Sequence, residues 1–224
     1  MPHFYPTRRD GDLVEISGPD ARHLAGPLRA RVGERIAVVD PAGFLLSVKL
    51  TSVSARQVTG TVVESRPHRP EPSTRLTMAI AMLPAASLEH VLSRCTELGA
   101  HAFVLVDSER SVARGAKPER WATICREAAM LAGRLSVPAV SGPLSTAELV
   151  RVMAPVMLDS RAGSRLTAMA LGANEVLAIG PEGGWSPAEL ALTERRARLG
   201  ATTLRADTAA VAALTAALVA RGDV

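Results

Sequence analysis

Aromatic side chains, lysine and cysteine are all scarce in this chain of 224 residues. Aromatics make up 3% of it (three Phe, two Trp and one Tyr), so a platform of stacked bases, as in RNA-recognition sheets, has little material to work with. Lysine occurs only at Lys49 and Lys117, and the remaining basic residues are arginine. The two cysteines, Cys95 and Cys125, share no CxxC spacing and have no His or Cys neighbour at ligand distance along the chain. Each falls on an apolar helical stripe and reads as a buried small hydrophobe, not as half of a disulfide or a metal ligand. No apolar run reaches membrane-spanning length, and the opening Met-Pro-His-Phe-Tyr does not read as a signal peptide. A cytoplasmic protein with no metal and no membrane partner is expected.

Hydrophobic residues at 47% and charged residues at 21% describe an ordinary globular composition. The formal net charge is +4, a weak pointer to a polyanionic partner. The excess lies early: the first 75 residues hold 11 basic and 8 acidic side chains, the remainder 15 and 14.

Arg66 to Thr74, RPHRPEPST, carries three prolines and no apolar residue, which reads as a linker. Before it, Leu13–Ile16, Arg35–Val39, Phe44–Val53 and Gln57–Glu64 read as short strands with turn residues between them. A short helix is expected over Pro19–Leu28. A small β-barrel-like domain follows from that pattern, over residues 1–70. After the linker, over residues 74–224, strand and helix alternate. MAIAML (78–83) is a continuous apolar run, as a strand covered on both faces should be, and AFVLVD (102–107), VMLD (156–159) and VLAIG (176–180) follow it. Leu88, Val91, Leu92, Cys95 and Leu98 recur at helical spacing behind a Ser87 cap. Pro118 opens another helix, and a last one is expected from about Asp207 to Ala220. Ser145-Thr-Ala-Glu148 and Ser186-Pro-Ala-Glu189 are capping boxes. The second part is therefore an α/β domain with a parallel sheet.

In open α/β sheets ligands gather at the carboxyl ends of strands. Three such ends stand out: Leu158-Asp159-Ser160, Gly180-Pro181-Glu182-Gly183-Gly184, and Leu199-Gly200 to Arg205. The second opens like a phosphate cradle, yet the chain has neither GxGxxG nor the Gly-Lys-Ser/Thr of a P-loop here. Its proline gives a rigid start and its glycines allow the backbone to approach a flat ligand closely. A carboxylate inside the turn disfavours phosphate and suits a neutral or cationic ligand, such as an adenosine carrying a sulfonium. A plain tight turn explains the Pro and Gly but not Glu182.

IGPEGGWSPAEL followed by LG-ATT-LRADTA is similar to the signature of the RsmE-type 16S rRNA (uracil-N3) methyltransferases of the SPOUT superfamily. RHLAGPLRARVGERIAVVD (22–40), TELGAHAFVLVDSERSV (96–112) and REAAMLAGRLSVPAV (126–140) resemble three further segments of that family, in the family's order. The resemblance implies a trefoil-knotted C-terminal α/β domain, an exception to the rule against knots, preceded by a PUA-like β-barrel that grips RNA. It implies a homodimer that binds S-adenosylmethionine and methylates uridine N3 in 16S rRNA, or in the small ribosomal subunit. The alternatives are another RNA substrate, or an RNA-binding relative without catalysis.

By the same resemblance, Leu158, Ile179, Gly180, Pro181, Glu182, Gly183, Gly184, Leu199, Gly200, Leu204 and Thr208 would hold the cofactor. Arg205 would position the target base or its phosphate, with Arg134 as second candidate, and Glu182 and Glu127 are the carboxylates available as base or orienter. Arg22, Arg29 and Arg31 would contact RNA phosphates, which position rather than specify; His23 in the same segment reads as packing on the barrel. Departures from the family pattern stand at Pro84 in place of a lysine, at Leu131 and Ala132 in place of Gln and Ser, at Asp207-Thr208-Ala209 in place of Glu-Thr-Ala, and in a shortened 185–204 stretch.

Overall fold

The computed structural model describes residues 2–113 and 115–223. Two compact units account for the chain: Met1–Glu71 with Ala129–Ser136, and Pro72–Ala128 with Val137–Val224.

The first unit holds β1 (Arg8–Asp10), β2 (Leu13–Ser17), α1 (Pro19–Ala25), β3 (Arg35–Asp40), β4 (Phe44–Val53) and β5 (Gln57–Pro67). The strands form an antiparallel sheet in the order β1-β2-β5-β4-β3. Val14, Ile16, Ile36, Val38, Leu46, Val48 and Leu50 alternate inward and are buried, the period-two pattern of a sheet with one wet face. Phe4, fully buried, bridges to Val38 of β3 at one edge, while β1 pairs with β2 at the other. One stretch, Phe4 to Asp10, thus touches both edges and closes the sheet. Gly60 is needed where β5 crosses β4, since a Cβ there would lie 2.5 Å from Val48 Cγ1 and 2.7 Å from the Lys49 carbonyl oxygen. The helix α1 is three residues shorter than its sequence pattern, ending where Gly26 donates to the Arg22 carbonyl.

The proline-rich stretch from Arg66 is more than a linker. The His68 ring nitrogen Nε2 lies 2.6 Å from the Gly133 carbonyl oxygen. Glu71 binds the Arg134 guanidinium at 2.6 Å and accepts from the Leu135 amide at 2.8 Å. Tyr5 adds a hydroxyl donated to the Arg134 carbonyl.

The second unit holds β6 (Arg75–Ala81), α2 (Ala85–Glu97), β7 (Ala102–Asp107), the greater part of α3 (Pro118–Ala132), β8 (Ala139–Ser145), α4 (Thr146–Met153), β9 (Val156–Leu158), a 3-10 turn at Leu166–Ala168, β10 (Asn174–Ile179), α5 (Pro187–Leu190), β11 (Arg196–Ala197) and α6 (Ala206–Arg221). All six strands are parallel, in the order β11-β9-β10-β6-β7-β8. Leu76, Met78, Ile80, Phe103, Leu105, Leu177 and Ile179 pack on one face with α2, α3 and α6, including Cys95 and Cys125. Ala79, Val104, Val106, Met157 and Ala178 pack on the other with Leu149, Trp185 and Leu190. Burial on both faces is why these strands read as unbroken apolar runs. Cys95 is inert in this core, its thiol pushed up to about 12 by burial and by the neighbouring Cys125.

Helix α2 starts from Pro84 rather than from a Ser87 cap, so the proline that replaces the family lysine sits at the helix N-cap. Strand β8 has no counterpart in the sequence reading: its Gly142-Pro143 looks like a turn, and Pro is tolerated because this is an edge strand. Among the described residues no helix is long and apolar enough to cross a membrane.

Candidate active site

The neighbouring strands β11, β9 and β10 end together at one side of the sheet, and the loops that leave them line a cavity of about 770 Å³, in the range of small-molecule and cofactor sites. Ten of the eleven residues assigned to a cofactor from sequence line it, as does Arg205. Thr208 does not, and neither do Glu127 and Arg134. Glu127 is an exposed residue of α3. Arg134 belongs to the first unit, its side chain 4% exposed against Glu71. Arg22, His23, Arg29 and Arg31 are all solvent-exposed on the first unit.

The loop after β10 is shaped by what presses on its glycines. A Cβ on Gly180 would lie 3.0 Å from the Trp185 ring, so glycine lets the indole pack against the backbone. That indole is 3% exposed and donates from Nε1 to the Leu158 carbonyl at 3.1 Å, tying the β10 loop to the end of β9. Gly184 closes the turn onto the Pro181 carbonyl at 2.8 Å with φ of 67°, the left-handed region that favours glycine. Arg110, from the segment after β7, donates to the Gly183 carbonyl at 2.9 Å.

Behind the loop stands Glu189, 4% exposed. It completes the capping box with Ser186 and also accepts from the Glu109 amide at 3.1 Å and the Thr146 hydroxyl at 2.6 Å. One buried carboxylate therefore ties the Ser186 turn to the segment after β7 and to the start of α4, and Trp185 and Arg110, next to the first two, line the cavity.

The loop after β9 is held from β11. The Asp159 amide donates to the Ala197 carbonyl at 2.9 Å. Arg198 Nη1 donates to the Ala162 carbonyl at 2.6 Å and also to that of Gly163, while its backbone pairs with Ser164 and Leu166. Leu199 and Gly200 line the cavity, so the shortened 185–204 stretch still reaches it. Arg205, the residue before α6, extends a guanidinium 3.5 Å from Glu182 and 3.9 Å from Asp207. Burial pulls the Asp207 carboxyl upward, but the Thr208 amide, the Arg205 charge and the Thr208 and Ser87 hydroxyls outweigh it and hold the group below its usual range.

Sequence reasoning missed Arg110, Arg161, Trp185 and Arg198 as site residues. Arg110 stands in the Ser-Glu-Arg-Ser segment and Trp185 directly follows the paired glycines, so both had a signal. Arg198 had none, because the two-residue strand it follows is too short to show a pattern.

An adenosine-sized ligand suits this wall. Leu158, Ile179, Ala197, Leu199 and Leu204 supply apolar surface, the Gly180–Gly184 turn supplies backbone at close range, and Glu182 supplies one negative charge.

Residues 69–218 match the RNA methyltransferase domain family. The chain is 32% identical over 217 residues to the ribosomal RNA small subunit methyltransferase E of Synechocystis sp., covering 90% of this chain and 71% of that protein. It is 30% identical over 230 residues to the protein of the same name from Bacillus subtilis, covering 92% and 90%. The crystal structure of ribosomal RNA small subunit methyltransferase E from Neisseria gonorrhoeae bound to S-adenosyl methionine superposes with a TM-score of 0.87 at 28% identity, covering 96% of each chain. Fold and cavity thus define an RNA methyltransferase domain of the SPOUT class. More narrowly, the chain belongs to the ribosomal RNA small subunit methyltransferase E family.

Proposed function

We propose that this chain transfers the methyl group of S-adenosylmethionine to N3 of a uridine in small-subunit ribosomal RNA. The observation that carries the reading is the cavity itself: three parallel strand ends, an apolar wall and a glycine turn pinned by Trp185 and Arg110, in a chain whose relatives are named as ribosomal RNA small subunit methyltransferases. When bound, the cofactor supplies an already activated methyl group on a sulfonium.

The chain's own residues then have modest tasks. Leu158, Ile179, Leu199 and Leu204 would enclose the adenosine, and Gly180–Gly184 would bring backbone against it. Orientation of a near-attack pair carries much of such a reaction. Uracil N3 must lose its proton to attack well, and Glu182, 53% exposed at the cavity wall, is placed to take it or to order a water that does. Arg205, beside Glu182, would position the target base, through the base itself or its phosphate. Arg134 and Glu127 stand outside this scheme: Arg134 holds the 129–136 segment to Glu71, and Glu127 is a solvated helix residue.

The same reading takes Arg22, Arg29 and Arg31 on the PUA-like first unit as RNA-phosphate contacts. It takes the crossing of the 159–166 loop over Arg198 as part of a trefoil knot, and the working form as a cytoplasmic homodimer. The test is incubation of the purified chain with methyl-labelled S-adenosylmethionine and small-subunit rRNA, followed by nucleoside mapping. Label in 3-methyluridine is expected, and Arg205→Ala should abolish it while leaving cofactor affinity nearly unchanged. Label in another nucleoside, or none with cofactor bound, would overturn the assignment.

A further inference from the structure

Four arginines line the cavity, Arg110, Arg161, Arg198 and Arg205, against two carboxylates, Asp159 and Glu182. That surplus of positive charge is not what the cofactor calls for. S-adenosylmethionine carries a sulfonium, an ammonium and one carboxylate, a net positive charge of its own, so a cationic lining repels it overall. The four arginines also divide by what they do. Arg110 and Arg198 donate to backbone carbonyls of the two loops, at 2.9 and 2.6 Å, and hold the wall together. Among the described residues, Arg161 and Arg205 bind no carbonyl in this way. Arg161 meets Asp159 through Nε at 3.4 Å with its side chain 73% exposed; Arg205 meets Glu182 at 3.5 Å with its side chain 71% exposed. Exposed ion pairs of this length contribute little, so a stronger anion displaces the carboxylates at small cost.

The segment that carries Arg161 is preorganised. The Arg161 amide donates to Asp159 Oδ1 at 3.1 Å, the Ala162 amide to the Asp159 carbonyl at 3.0 Å, and Arg198 grips the next two carbonyls. The backbone is thus held on both sides of a side chain that remains in water.

Resting on the methyltransferase reading above, we infer that Arg161 is a second phosphate contact for the substrate RNA, acting with Arg205 at the mouth of the cavity. Phosphodiester oxygens accept from a guanidinium fork with better geometry than the carboxylates these residues now meet. Asp159 and Glu182 keep the two guanidinium groups at the cavity mouth until RNA arrives. The two arginines hold the backbone beside the target nucleotide, and the cofactor below is untouched by them.

The test is equilibrium binding of in-vitro-transcribed small-subunit rRNA over a salt series, alongside calorimetry with S-adenosylhomocysteine. Arg161→Ala should weaken RNA binding about five-fold and reduce the salt slope by roughly 0.7–0.9, the value of one phosphate contact. The Arg161→Ala/Arg205→Ala double variant should lose about twice that slope, and Arg161→Lys should recover it. S-adenosylhomocysteine affinity should not move. Arg94→Ala, which removes a half-exposed arginine outside the cavity paired with Glu97, should change neither quantity. An unchanged slope in Arg161→Ala overturns the inference, as does an equal loss of S-adenosylhomocysteine affinity, which would give the residue to the cofactor. Should the wild-type chain bind no S-adenosylhomocysteine while the slope still drops in Arg161→Ala, the phosphate contact stands and the methyltransferase reading falls.

Discussion

Ser145-Thr-Ala-Glu148 and Ser186-Pro-Ala-Glu189 open two helices with the same reciprocal pair of hydrogen bonds, yet their glutamates live in different surroundings. Glu148 is exposed and, among the described residues, hydrogen-bonds its own cap alone. Glu189 is buried and takes two further donors, from Glu109 and Thr146. A four-residue pattern is enough to start a helix, because the partners lie within one turn. Whether its carboxylate also ties distant segments together depends on what the fold brings beside it, which the four residues do not contain.

The sharpest way to break this contrast is to remove each carboxylate or its cap. Glu189→Ala strands three buried or part-buried donors, each worth roughly 1–3 kcal/mol when left unmade, so a loss of about 3 kcal/mol or more is expected, with a fall in Tm on the order of 10 °C. Cofactor affinity should fall with it, since Glu109 precedes the arginine that clamps Gly183. Thermal melts and calorimetry check both effects. A Glu189→Ala variant as stable as wild type would end the comparison.

Next in size comes Gly180→Ala. Its Cβ would press on the Trp185 ring at 3.0 Å, and overpacking of this kind costs about 1–3 kcal/mol. Because the indole anchors the loop to Leu158, S-adenosylhomocysteine binding should weaken about ten-fold or more. Gly183→Ala, three residues on, should do almost nothing to stability, about 0.5 kcal/mol at most, because its Cβ would meet Arg110 at an ordinary 3.5 Å. Equal effects at the two glycines would show that the loop is not held by Trp185.

Ser145→Ala removes an ordinary cap and should cost about 1 kcal/mol, with no effect on cofactor binding. The Ser145 hydroxyl and amide hold the Glu148 carboxyl below its usual range. A depressed folded-state pKa means stability that is present above the ordinary glutamate value and lost as pH falls through the folded one. The stability gap between wild type and Ser145→Ala should therefore narrow as pH drops from about 6 to about 3. A constant gap would place the cap's contribution elsewhere.

These contrasts also mark how far the sequence could be read. Strands such as Leu76–Ala81 and Phe103–Val106 announce themselves because both faces are buried, and the turn from Gly180 to Gly184 because few residues besides Pro and Gly make such a bend. Strand β8 was hidden by Gly142-Pro143 at an exposed edge, and β11 by its two-residue length. The cavity-lining loops were legible as strand ends. Their fastenings were not: Arg110 on Gly183, Arg198 on Ala162 and Glu189 on Thr146 each join residues 36 or more positions apart. Arg134 shows the converse. Its place in a family-like motif suggested chemistry, and only the fold reveals the Glu71 beside it.

The central claim is that the cavity beneath the Gly180–Gly184 turn holds S-adenosylmethionine. Calorimetric titration of the folded chain with S-adenosylmethionine and S-adenosylhomocysteine tests it most directly. Binding at micromolar strength, about −8 kcal/mol, weakened in Gly180→Ala and unaltered in Ser145→Ala, is the predicted result. No detectable heat with either ligand from a folded protein, or equal affinity in Gly180→Ala, would contradict it.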